Sequence, residues 1–259
     1  MVYCRLIAVA LITFFTVTTH ASDLQKEQRW ESQIVDAILD GEAIHLDGKR
    51  SRFLAIETPS ADESREKTAI IMHGTGVHPD WPTVIQPLRV GLTESDWHTL
   101  SIQMPILPNE AEHKDYAAIY DWVPDRLDTA IEYAREQGAK TVVLIGHSQG
   151  TTMTAYYLTH GGKPVDGFIA IGMGAGIAGG PMDNLNHLKK LKFPMLDLFG
   201  SQDLEGIVAS ADKRKDIAGG HNPNYSQIEL EGADHFFEGE EELLLEQVNA
   251  WLQSAVGRD

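Results

Sequence analysis

The chain has 259 residues, 42% of them hydrophobic, enough apolar material for one large domain with a substantial core. Its formal net charge of −17 argues against a nucleic-acid partner or an anionic membrane surface, since both require a basic face.

The N-terminus reads as an export signal. Arg5 supplies a short positive region, Leu6 to Val17 is an apolar run, and Thr19-His20-Ala21 places small residues where a signal peptidase requires them. Cleavage after Ala21 is expected. It would leave residues 22–259 as a single domain in the periplasm or outside the cell, with no stable membrane span. The apolar run is too short for a comfortable span, and an uncleaved anchor is the alternative. The only cysteine, Cys4, lies in this segment and has no lipobox before it. The mature chain would therefore carry no disulfide.

Residues 23–40 have a helical pattern with Trp30, Ile34 and Ile38 on one face, ended by Gly41. Two short strands, 42–46 and 53–57, flank Asp47-Gly48, a hairpin signal. A buried strand over 68–72 runs into His73-Gly74-Thr75-Gly76. A helix over 84–94 puts Leu88 and Leu92 inward, and a strand over 97–104 ends at Pro105. The stretch after it is polar and acidic and reads as a loop. The next helix, about 124–137, has Pro124 at its start and Gly138 at its end. Strands follow at 141–145, 165–171, 194–199 and 226–230, with a helix over 151–159 after the first of them. A last helix covers about 240–255. Strands alternating with helices predict a mainly parallel sheet covered on both faces.

The chemistry centres on Gly146-His147-Ser148-Gln149-Gly150. A strand precedes this Gly-x-Ser-x-Gly turn and a helix follows it, the order of a nucleophile elbow. Ser148 would sit in a strained turn with its hydroxyl projecting above the sheet. Gly146 and Gly150 would remove Cβ atoms that collide with neighbouring elements. The bland alternative is a small-residue turn in which Ser148 merely caps a helix. A serine hydroxyl needs a base, and the base needs an orienting group. His235, just past the 226–230 strand, is the expected base, and Asp203, just past the 194–199 strand, the expected acid. Asp197, inside that strand, is the main rival. Glu205 and Asp183 are further alternatives, and Asp234 adjoins the base but should point elsewhere. The oxyanion donors should be the N–H groups of Gln149 and Thr75. His73, His78 and His147 do not form a recognisable metal motif, and Gly172-x-Gly174-x-Gly176 lacks the partners of a dinucleotide loop. No metal or other cofactor is expected.

These motifs, with Gly200-Ser201-Gln202-Asp203 and Gly232-Ala233-Asp234-His235, resemble the α/β-hydrolase superfamily over roughly residues 42–256. The resemblance implies that fold, a Ser-Asp-His triad and hydrolytic chemistry. The segments His78-Pro79-Asp80-Trp81, Pro87-Leu88-Arg89, Trp97-His98-Thr99-Leu100 and Met104-Pro105 look like a narrower group of exported bacterial hydrolase-like proteins known only as a domain of unknown function.

The expected activity is hydrolysis of an ester or related acyl bond in a small-molecule substrate. A peptidase or thioesterase is an alternative within that chemistry. A hydrolase-like scaffold with a binding role in the envelope is the alternative outside it. The connection 172–193 is too short and glycine-rich for a lid domain. That predicts an open site for short or medium acyl groups with no interfacial activation, Trp81, Met173, Ile177 and Met182 forming a shallow apolar wall.

Overall fold

The computed structural model describes residues 21–256. The proposed signal sequence, apart from Ala21, and Cys4 lie outside that range.

Eight strands form one sheet: β1 Glu42–Asp47, β2 Arg52–Thr58, β3 Lys67–Met72, β4 His98–Ile102, β5 Thr141–His147, β6 Gly167–Ile171, β7 Met195–Gly200 and β8 Tyr225–Leu230. Their spatial order is β1-β2-β4-β3-β5-β6-β7-β8. β2 is antiparallel to both its neighbours, and all pairings from β4 through β8 are parallel. This is the α/β-hydrolase arrangement that the sequence predicts.

The central strands are buried along almost their whole length because both faces are covered. Alternate side chains serve different layers. Val142 and Leu144 of β5 join one core cluster, whereas Val143 and Ile145 join the other. The first layer includes Leu127, Ala130 and Ile131 of α3 (Val123–Glu136) and Met153 and Tyr157 of α4 (Gln149–Thr159). The second includes Ile85 and Leu88 of α2 (Ile85–Gly91) and Leu244, Val248, Trp251 and Leu252 of α8 (Glu241–Ala255). The N-terminal helix α1 (Leu24–Ala37) packs Ile34 on Leu54 and Ile56 of β2.

The structure departs from the sequence reading in four places. The β1–β2 hairpin forms, but Asp47 pairs with Arg52, so the turn holds four residues rather than the two of an Asp-Gly turn. Asp125 of α3 closes that turn by accepting from Lys49 N–H at 2.6 Å and Arg50 N–H at 2.9 Å. The segment read as a polar loop contains a 3-10 helix, His113–Trp122, whose period of three escapes a search for 3.6. The helices α5 (Asn184–Leu188) and α6 (Glu205–Val208) are too short to show a period. Finally, α7 (Ala211–Gly219) buries Arg214 on its inner face in place of an apolar stripe.

From β3 the chain crosses to β4 on one side, then returns to place β5 on the other. A crevice therefore opens beyond the carboxyl ends of β3 and β5. His73 follows the first strand and Ser148 the second.

Candidate active site

Ser148 lies at the sharp step between β5 and α4. Its backbone has φ 53° and ψ −119°, a sparsely populated conformation for a residue with a Cβ. Close packing enforces the step. A Cβ on Gly146 would stand 2.8 Å from the carbonyl carbon of Gly150, and one on Gly150 would stand 2.5 Å from the carbonyl oxygen of Met72. Ser148 N–H donates to the Ile171 carbonyl of β6 at 2.8 Å, which ties the turn to the neighbouring strand.

Three residues from three strand ends meet here. Ser148 Oγ lies 2.9 Å from His235 Nε2, and His235 Nδ1 lies 2.6 Å from Asp203 Oδ1. With Nδ1–H donating to the carboxylate, Nε2 is left as an acceptor for the serine hydroxyl. The same Asp203 oxygen accepts from Leu204 N–H at 2.7 Å. The other Asp203 oxygen is buried and has no partner among the described residues.

The rival carboxylates are otherwise engaged. Asp197 accepts from Arg214 Nε at 2.7 Å, Tyr225 OH at 2.8 Å and Gln227 Nε2 at 3.0 Å. Asp183 caps α5 through Asn186 N–H, and Asp234 accepts from Phe236 N–H. Glu205 is exposed in the first turn of α6.

Gly74 packs against Ser148, so the loop carrying Thr75 borders the serine. Gln149 is the first residue of α4, where the backbone N–H has no helical partner and the helix dipole favours negative charge. Neither Thr75 N–H nor Gln149 N–H has a hydrogen-bond partner among the described residues. The Gln149 side chain is held by Tyr120, its Nε2 donating to the phenol oxygen at 2.6 Å.

Two histidines brace this geometry, and neither role was visible in the sequence. His73 donates from Nδ1 to the Gly74 carbonyl at 2.8 Å, while its Nε2 accepts from Met104 N–H at 3.0 Å. The loop is thereby pinned to the chain leaving β4. Burial pushes His73 down to a pKa of about 3, so it is neutral. His147 donates from Nε2 to the His235 carbonyl at 2.9 Å, its ring 5.0 Å from the His235 ring. Burial lowers its pKa to about 4.

A cavity of 660 Å³ opens over Ser148, walled in part by Ile177, Leu204, Ile207 and Phe236. Of the four expected wall residues, Ile177 lines the cavity and the other three do not. Met173 and Met182 are buried in the core. Trp81 lies outside the cavity wall and packs edge-on against His78, at 5.3 Å, and tilted against Phe236, at 6.4 Å. Exposed loop residues such as Leu204 carry no periodic signal, so that part of the wall was not legible.

No curated protein sequence matches this chain. Among solved structures, esterase Pf2001 of Pyrococcus furiosus superposes with a TM-score of 0.69 at 14% identity, covering 84% of this chain and 92% of that one. Est1E from Butyrivibrio proteoclasticus, with ferulic acid bound, gives 0.67 at 15% identity over 83% of this chain and 100% of its own. An alpha-beta serine hydrolase homologue from Coxiella burnetii gives 0.64 at 17% identity over 83% and 98%. These likenesses establish the α/β-hydrolase fold. In sequence, residues 16–119 and 107–254 match one family, and the chain belongs to it: the family described as protein of unknown function (DUF3530).

Proposed function

We propose that this protein is an exported serine hydrolase that cleaves an ester or related acyl bond. The contact chain from Asp203 through His235 to Ser148 supports this reading most directly. In the reaction, Ser148 Oγ attacks the acyl carbon while His235 Nε2 takes the hydroxyl proton. The carbonyl electron pair moves onto oxygen, where Thr75 and Gln149 N–H groups donate to it. Collapse of the tetrahedral intermediate breaks the bond to the leaving group, which takes the proton from His235. Water then attacks the acyl-enzyme, giving one proton back to His235, and the acid product leaves as Ser148 regains its hydrogen. Asp203 keeps His235 in the tautomer that accepts at Nε2 and offsets the imidazolium charge. No step calls on a cofactor.

For export, the apolar run ending at Val17 and the small residues Thr19 and Ala21 support cleavage after Ala21. Among the described residues, no helix is long and apolar enough to cross a membrane.

The decisive experiment is labelling of residues 22–259 with a fluorophosphonate probe, which reacts with an activated serine. Labelling of the wild type and none of Ser148→Ala is expected. No labelling of the wild type would overturn the enzyme reading in favour of a binding scaffold. Mass spectrometry of the exported protein should find Ser22 as its first residue.

A further inference from the structure

The chain carries 21 basic and 38 acidic side chains, yet among the described residues no Lys, Arg, Asp or Glu lines the 660 Å³ cavity over Ser148. Of the three histidines in its wall, burial pushes His113 and His147 below their ordinary pKa, so both are neutral at neutral pH. A charged substrate group would lose water there and find no counter-charge. An anion would also meet the field of a strongly acidic protein.

One wall is apolar. Ile177 comes from the connection after β6, and Leu204 and Ile207 from the turn and short helix after β7. Ile177 is 42% exposed and Leu204 58% exposed, in a structure with few large apolar side chains open to solvent. The other three, Leu24, Val35 and Leu39, all lie on or just beyond α1, whereas these two converge from separate loops on one cavity. Apolar side chains left open around a reactive serine gain stability only when an apolar group covers them.

Building on the reading of Ser148 as nucleophile, we propose that the substrate is an electrically neutral acyl compound whose hydrocarbon part lies against Ile177, Leu204 and Ile207. This wall is a shelf of three residues rather than a tunnel, so it selects for chains of a few carbons and rejects the same chain ending in a carboxylate.

The test measures kcat/KM for p-nitrophenyl acetate, butanoate, hexanoate and palmitate, and for an ester of hexanoate length whose acyl chain ends in a carboxylate. A parallel series holds the acyl group as acetate and lengthens the alcohol. The expected result is a rise of about fourfold per methylene up to about hexanoate in at least one series, since a buried methylene contributes ~0.8 kcal/mol. The palmitate should gain nothing more, and the carboxylate ester should fall at least tenfold below its neutral counterpart. In the double variant Ile177→Ser, Leu204→Ser, the ratio of hexanoyl to acetyl turnover should drop toward one. Because both side chains are exposed, the variant should fold, and its thermal transition checks this. A flat chain-length profile in both series would overturn the inference, as would an unchanged ratio in the double variant or equal turnover of the carboxylate ester. Fluorophosphonate labelling separates the two failures: a labelled Ser148 with a flat profile sinks only the substrate assignment, whereas an unlabelled one sinks the enzyme reading itself.

Discussion

Two aspartates six positions apart, Asp197 inside β7 and Asp203 just past its carboxyl end, behave in opposite ways. Asp197, within β7 and fully buried, faces Arg214, Tyr225 and Gln227, and a permanent cation neutralises it. Asp203, just past the strand end, is bonded by one N–H and one imidazole, and its second oxygen has no partner among the described residues. Both carboxylates are buried, so each needs compensation. The first has a guanidinium that cannot release its proton. The second is paired with the imidazole that would take and return the serine proton in the proposed reaction. A saturated carboxylate stabilises a fold, whereas one left to a single titratable partner can answer a charge that appears and disappears during a reaction.

The sharpest way to break this comparison is to remove the groups that Asp203 serves. Ser148→Ala and His235→Ala should each lower kcat by about 10³–10⁶, and the double change should cost little more, because the members act as a unit. Steady-state hydrolysis of a p-nitrophenyl ester checks this, and additive losses would argue against a shared unit.

Next come the aspartates themselves. Asp203→Asn should lower kcat by roughly 10⁴ while leaving the fold intact, since the amide favours the wrong imidazole tautomer. Asp197→Asn should do the reverse. It leaves Arg214 buried and unpaired, at a cost of about 3–5 kcal/mol in urea unfolding, with near-normal turnover per folded molecule. Full activity in Asp203→Asn together with loss in Asp197→Asn would reverse the assignment of the acid.

The remaining effect is the pH response. His73 and His147 are held neutral by burial, with pKa values lowered to about 3 and about 4. Below pH 6.5 the unfolded chain takes up protons that the folded chain refuses, so stability falls as pH drops from 6.5 toward 4 and returns above it. Each histidine should contribute on the order of 3 kcal/mol to that loss by pH 4. Denaturation at pH 7, 5.5 and 4 measures it, and His147→Gln should flatten the curve. Equal stability at all three values would contradict the neutral, buried state of these rings.

The β-strands were legible in the sequence because a strand covered on both faces carries a continuous apolar run, as 69–72 and 142–145 do. The elbow was legible because its motif is contiguous: Gly146 meets the start of its own helix, although Gly150 is required by the distant Met72 carbonyl. Asp203 and His235 could be named because residues just past parallel strand ends converge on one crevice. The sequence put Asp203 ahead of Asp197 by its place past the strand end, but it did not show what engages Asp197. That depended on Arg214, whose helix shows no apolar period and whose partner is 17 residues away. Nor could it place the cavity wall or the braces. Met173 looked available but is buried, Ile177 was named but Leu204 looked like an ordinary loop residue, and His73 is defined by backbone groups 31 residues away at Met104. Periodicity and local sterics are written in neighbouring residues. Which charge neutralises which carboxylate, and which side chains surround a cavity, depends on contacts that exist only after the sheet has closed.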